Sequence, residues 1–81
     1  MFITEYFVVY PEGDTQEVPG RLGLNQLVDV NGKALNIPLR TNKMVVFQVL
    51  KITTDEYKGG KAVYHHLEQL SARELQEYVV K

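Results

Sequence analysis

Apolar residues recur at every second position in several short stretches of this chain, which is the periodicity of a β-strand. The clearest stretch, Phe2–Tyr10, is rich in the aromatic and β-branched residues that favour pleated strands. Beyond Tyr6 both alternating sets are apolar, so we predict a central strand covered on both faces. The composition of Pro11–Asp14 is typical of a turn and predicts a reversal into a short strand at 15–18.

A second hairpin is predicted between residues 27 and 37 by the dipeptide Asn31-Gly32. Asparagine followed by glycine supplies the two positive φ values that a type I′ turn requires. A two-residue loop at this dipeptide would place Val28 opposite Leu35. The hairpin would then carry an apolar cross-strand pair on one face.

A third hairpin is predicted around the glycine pair in the segment 58–61. This segment separates an apolar stretch at 44–53 from another at 62–68, and both stretches have the composition of strands. A two-residue loop formed by the glycine pair would place Ile52 opposite Leu67.

The apolar spacing changes to that of a helix after Ser71. Ser71 and Glu74 have the spacing of a capping box, which predicts a helix that begins at Ala72 and occupies the C-terminal segment 71–81. One face of this helix is apolar and is formed by Leu75, Tyr78 and Val79. Because so short a helix is marginal alone, we expect that face to pack on the sheet or on a partner.

Three hairpins followed by one helix predict a single small, mainly β domain over residues 1–81, with hairpins over 1–70 and the helix over 71–81. An antiparallel meander of this kind must hide an apolar face. It can curl into a small SH3-like or OB-like barrel, or it can remain an open sheet that the helix or a homodimer covers. We favour the barrel because two of the strands are apolar on both faces.

The composition is that of a folded protein without covalent reinforcement. The chain has 81 residues, 44% of them hydrophobic, a formal net charge of −1 and no cysteine. The absence of cysteine excludes disulfides and thiolate metal sites and favours a reducing compartment. No basic region precedes the apolar N-terminal residues, and the apolar run Phe7–Val9 is too short to span a bilayer. We therefore expect a cytoplasmic protein without membrane contact.

The sequence contains no recognisable catalytic set. Adjacent residues on a strand point to opposite faces, so His65 and His66 cannot converge on one metal and are interpreted as structural histidines. The single serine, Ser71, is explained by its helix cap. We predict that the protein is not an enzyme and has no catalytic, cofactor-binding or metal-ligating residues.

Charge is unevenly distributed along the chain. Residues 1–20 carry four acidic residues and no lysine or arginine, whereas residues 21–66 carry seven basic and three acidic residues. Five bases lie in or beside predicted loops, and two tyrosines accompany them. These candidate contacts for nucleic acid or another anion are Arg21, Arg40, Lys43, Lys58, Lys61, Tyr57 and Tyr64.

Two functions remain open at this point. The absence of a catalytic set and the apolar surplus of so short a chain favour a non-catalytic interaction module that self-associates, as a homodimer for example, or docks a protein partner. The alternative is binding of RNA or single-stranded DNA through the basic loops. A pI of about 6.1 is well below the basic range of most nucleic-acid-binding domains, so the interaction module is the leading hypothesis.

Overall fold

A five-stranded sheet curls into a half-barrel in the computed structural model, which describes residues 1–41 and 43–79. The strands are β1 Ile3–Val9, β2 Thr15–Val18, β3 Leu27–Val28, β4 Phe47–Tyr57 and β5 Gly60–Gln69. One helical turn, α1 Ala72–Leu75, follows the sheet and continues into a 3₁₀ turn at Gln76–Tyr78. The predicted mainly β fold with a short C-terminal helix is confirmed.

The sheet is mixed, which differs from the predicted antiparallel meander. The spatial order is β2-β1-β5-β4-β3, so β1 is internal as predicted. Its pairing with β5 is parallel and runs from Ile3 opposite Gly60 to Val9 opposite His66, whereas the other strand pairs are antiparallel. Turn residues predict only that consecutive strands pair with each other. They therefore gave no indication that β1, near the start of the chain, pairs with β5, near its end.

The β4–β5 hairpin has the predicted two-residue loop, but the loop is Lys58-Gly59 rather than the glycine pair. Tyr57 therefore pairs with Gly60, and the predicted register is wrong because Ile52 faces His65 instead of Leu67. Gly59 takes the positive φ, 94°, that the loop requires. A β-bulge at residue 50 then shifts the register by one residue, so that Val49 faces Leu67.

The turn at Asn31-Gly32 also differs from the type I′ prediction. Gly32 has a φ of 77°, but Asn31 is not among the residues with positive φ. The N–H of Gly32 donates to the carbonyl of Asp29, and the N–H of Asp29 donates to the carbonyl of Lys33, so the loop contains three residues. The Asp29 carboxylate accepts hydrogen bonds from the N–H groups of Asn31 and Lys33, which stabilises this wider turn.

The wider turn changes the pairing beyond it. Val28 faces Ala34 in an isolated bridge, so the predicted pairing of Val28 with Leu35 is wrong. Val28 also pairs with Phe47 of β4, which makes β3 the last strand of the sheet. The second predicted hairpin is therefore reduced to a loop at the edge of the sheet, and β3 is only two residues long.

Two apolar clusters form the core. The first lies on the inner face of the sheet and consists of Val8, Val18, Val28, Phe47, Val49 and Leu67. The second lies between the sheet and the C-terminal segment and consists of Leu27, Leu39, Val46, Leu70 and Leu75. Leu75 is only 1% exposed, so α1 docks on the sheet, as its apolar face predicted.

The helix begins as predicted but is much shorter than the segment 71–81. Both hydrogen bonds of the capping box are present: Ser71 N–H donates to Glu74 Oε1 at 2.9 Å, and Glu74 N–H donates to Ser71 Oγ at 3.2 Å. Helical structure ends because Val79 is extended and forms a parallel bridge with Leu39. Residues 80 and 81 lie outside the described residues. No helix in the described ranges is long and apolar enough to cross a membrane.

Replacing Gly32 with valine should lower the free energy of unfolding by about 2–4 kcal/mol, because strain at positive φ adds to overpacking. A Cβ at Gly32 would lie 3.1 Å from Cγ1 of Val18 and 3.4 Å from Cγ2 of Val8. Gly13→Val is the matched control, since Gly13 has a φ of 101° and no described atom within 4 Å of an added Cβ. Chemical denaturation measures the free energy of unfolding of both variants. An equal decrease in the two variants would show that packing of the turn against β1 and β2 does not contribute to stability.

Candidate interaction surface

The two histidines lie on opposite faces of β5, as the sequence predicted. His65 is fully buried, and its Nε2 accepts a hydrogen bond at 3.0 Å from the backbone N–H of Leu22. Because Nε2 accepts, the ring proton is on Nδ1, which donates to the carbonyl of Phe7 at 2.8 Å. His66 lies on the outer face, where its Nε2 is 2.8 Å from Oγ1 of Thr53. Both ring nitrogens of His65 are thus used in holding the fold.

In the part of the chain that the structure describes, the interior contains no unpaired polar side chain that could bind a ligand. Within residues 1–41 and 43–79, no group of three or more histidine, aspartate and glutamate side chains is arranged to hold a metal ion. In the same residues every buried side-chain nitrogen or oxygen has a hydrogen-bond partner. Contacts with a partner are therefore expected on the surface.

The predicted basic residues are distributed over three places. Lys58 and Lys61 lie at the turn between β4 and β5. Arg40 and Lys43 lie in the loop that precedes β4, so the length of that strand, roughly 30 Å, separates them from this turn. Arg21 is exposed in the connection after β2, next to the residue that bonds His65. The fold does not bring the five bases into one basic surface.

The two predicted tyrosines do share a surface, the outer face of the sheet. The ring of Tyr64 stacks on that of Phe7, with centroids 5.4 Å apart and planes 20° apart. Tyr57, which is 45% exposed, donates a hydrogen bond to Oε1 of Glu5 at 2.5 Å. This hydrogen bond raises the pKa of the Tyr57 hydroxyl. We call Phe7, Tyr57 and Tyr64 the aromatic strip.

The absence of a side chain at Gly60 allows the Tyr57 ring to lie across β5. Tyr57 is paired with Gly60, and its ring crosses this glycine to reach Glu5 on β1. A Cβ at Gly60 would lie 3.0 Å from the Tyr57 hydroxyl and would collide with the carbonyl oxygen of Ile3. Three strands approach each other closely at this position because it has no side chain.

The outer edge of β4 is uncovered over most of its length. β3 pairs only with Phe47 and Gln48. Asn25 donates its N–H to the carbonyl of Val49, and the carbonyl of Gln26 accepts the N–H of Val49. From Lys51 to Tyr57, no strand or loop in the described ranges bonds to this side of β4. We call Lys51–Tyr57 the free edge.

The direction of each backbone group on the free edge follows from the hairpin register. Tyr57 and Gly60 flank a two-residue loop and form a hydrogen-bonded pair, so alternate residues of β4 bond to β5. The residues between them, Ile52, Thr54 and Glu56, point their N–H and C=O groups away from β5. Six backbone groups thus lie in a row, and no protein partner among the described residues bonds to them.

A family model described as an uncharacterised Treponema protein matches residues 2–78. The chain belongs to this Treponema family. The matched residues extend from the residue before β1 to the end of the 3₁₀ turn, so they include both the aromatic strip and the free edge. No curated protein and no solved structure matches the chain.

Sequence reasoning missed Phe7 and the free edge in this member of the Treponema family. The second apolar set of β1 was interpreted as a sign of burial on both faces, but Phe7 and Val9 are half-buried on the outer face. Because Phe7 and Val9 alternate with Val8, they lie on the face opposite to it, and this pattern indicates an apolar outer surface. The free edge had no comparable signal, because a strand's own sequence does not state which neighbour lies beside it.

His66 connects the outer face to the free edge electrostatically. Partial burial lowers the pKa of His66 below its ordinary value of 6.5, and the ammonium group of Lys51 and the neighbouring His65 lower it further. Lys51 is directly opposite His66 in the hairpin. The folded protein therefore disfavours a proton on His66.

Replacing Lys51 with methionine should raise the pKa of His66 towards 6.5, because a nearby positive charge is removed. An NMR titration of the His66 ring measures this, and Lys33→Met, at an exposed lysine in the 30–33 turn, is the control. As the pH falls below 6.5, the unfolded state of the wild type takes up the proton first, so the free energy of unfolding declines. An unchanged titration in the Lys51 variant would contradict this description of the outer face.

Proposed function

We propose that this protein is a non-catalytic interaction module that binds a protein partner by adding one strand of that partner to the free edge of β4. The observation that carries the proposal is the row of outward backbone groups on Ile52, Thr54 and Glu56. Strand addition uses such groups for affinity, because an incoming strand bonds to every one of them.

The side chains of the free edge supply a basis for specificity. Successive residues alternate between the two faces, so Lys51, Thr53 and Asp55 face outward beside His66, whereas Ile52 and Thr54 face inward. An added strand would meet an outer row with charges of both signs and an inner row that begins with half-buried Ile52. This combination favours a partner strand with matching alternation.

Proteins usually protect an exposed edge with charged side chains, bulges, prolines, short strands or a covering loop. The charges of Lys51, Asp55 and Glu56 disfavour pairing with strands that do not match them. Here the bulge is at residue 50 and the turn is at Lys58-Gly59, so both lie outside the free edge. The seven residues between them contain no proline. An edge of this length is long enough for several cross-strand hydrogen bonds, which supports a binding role.

Single-stranded nucleic acid is a second candidate, favoured by one observation. Tyr57 and Tyr64 share the outer face with Lys51, and exposed aromatic rings beside lysines stack bases in many single-strand-binding proteins. Against it, Tyr57 is bonded to the Glu5 carboxylate, which places a negative group beside the aromatic ring. The dispersed positions of the predicted bases also provide no continuous path for phosphates.

Replacing Thr54 with proline should abolish partner binding and change thermal stability little. Proline removes an N–H that points away from β5, and proline is tolerated on an edge strand in this orientation. Capture from a cell extract by immobilised wild type, Thr54→Pro and the matched Thr53→Ala control, followed by mass spectrometry, measures the effect. Proteins retained by the wild type and by Thr53→Ala should be lost from Thr54→Pro, and equal retention on all three would contradict strand addition.

The wild type should not retain labelled single-stranded RNA or DNA at physiological salt in fluorescence anisotropy, because its bases are dispersed. Two double variants, Arg40→Glu with Lys43→Glu and Lys58→Glu with Lys61→Glu, separate the two ends of the molecule. Saturable, salt-sensitive binding that either pair abolishes would favour the second candidate over the first.

A further inference from the structure

We propose that the strand added to the free edge is the free edge of a second copy of this chain. In this arrangement, which rests on the proposed function, two β4 strands pair in antiparallel fashion around a two-fold axis that passes between the two copies of Thr54. The two five-stranded sheets become one continuous sheet of ten strands.

The symmetry of the free edge indicates the position of the axis. Thr54 is the middle residue of Lys51–Tyr57, and the other outward-facing residues, Ile52 and Glu56, are equally far from it. In an antiparallel pair centred on Thr54, each Thr54 faces its copy and each Ile52 faces Glu56 of the other chain. All six outward backbone groups of each chain then have partners.

A neighbouring contact and a charge repulsion disfavour the two adjacent registers. Residues that face each other across such an axis lie on the same face of the sheet, so the pairing is centred on one residue that faces its own copy. The nearest alternative centres are Thr53 and Asp55. Centring on Thr53 would place Tyr57 of the second copy against Val49, whose edge is already bonded to residues 25 and 26. Centring on Asp55 would place two carboxylates opposite each other, which is unfavourable.

Charge along the free edge is complementary to itself in the antiparallel direction. Its first residue is Lys51, and the acidic residues Asp55 and Glu56 lie near its other end. Pairing centred on Thr54 places Lys51 diagonal to Asp55 of the second copy, within reach of a lysine side chain, and Thr53 opposite that carboxylate. The formal net charge of −1 adds little repulsion between the copies.

A dimer held by one strand pair buries little surface, so its association should be weak and concentration-dependent. Sedimentation from micromolar to millimolar protein should show a monomer converting to a dimer. Thr54→Pro should remain monomeric throughout. A wild-type mass that stays monomeric over this whole range would overturn the inference.

Single cysteines test the register directly, because the chain has no cysteine of its own. In Thr54→Cys the two thiols face each other across the axis, at a Cα separation of about 5.5 Å that a disulfide can bridge. In the matched variant Thr53→Cys the thiol points to the opposite face and meets Asp55. Mild oxidation should cross-link Thr54→Cys at least about tenfold faster, and equal or faster cross-linking of Thr53→Cys would overturn the register.

A charge reversal provides an independent readout at pH 8, where His66 is neutral. Lys51→Glu should raise the dimer dissociation constant about fivefold or more, because it places an acidic side chain diagonal to Asp55 of the other chain on the same face. Lys33→Glu changes the net charge equally but lies in the 30–33 turn, so it should have no effect. Equal effects of the two reversals would overturn the proposed pairing.

Failure of this inference can be distinguished from failure of the proposed function. If the wild type stays monomeric but Thr54→Pro loses other captured proteins, the free edge binds a different strand and only the second-copy proposal is wrong. If the wild type stays monomeric and Thr54→Pro retains the same proteins as the wild type, both proposals are wrong.

Discussion

The parallel pairing of β1 with β5 holds this protein together, because it joins a strand near the start of the chain to one near its end. β2 attaches to one member of the pair and β4 to the other. His65 strengthens this junction by linking the Phe7 carbonyl on β1 to the N–H of Leu22 in the connection after β2. An uncharged imidazole with both nitrogens bonded satisfies polar groups in the core without the cost of burying a charge.

Features set by neighbouring residues were predictable from the sequence. They include the strand at β1, the turn after it, a two-residue loop between β4 and β5, and the capped start of α1. The parallel pair was not predictable, because its residues are more than fifty positions apart and no turn connects them. The loop register failed for a related reason: Gly59 serves the turn, whereas Gly60 is required by the approach of Ile3 on β1.

The candidate surface was predictable in its residue types and not in its arrangement. Tyr57 and Tyr64 lie on one face because the register of the β4–β5 hairpin places them there, whereas the loop bases separate because β4 is long. The free edge depends on where the chain before β3 reaches β4: Asn25 and Gln26 bond to Val49, and no described residue before them pairs with Lys51–Tyr57. A strand edge is free when no other strand pairs with it, and the residues of the strand itself do not determine whether such a neighbour exists.

The shortness of the outermost strands limits how far any assembly of these sheets can grow. β2 has four residues and β3 has two, so the sheet's two terminal strands present few groups to an incoming chain. Long flat edges are what permit open-ended polymerisation into fibres. Once the long edge of β4 is occupied, only these short edges remain, and they disfavour the addition of another strand, so we expect a complex formed there to be closed rather than the seed of a filament.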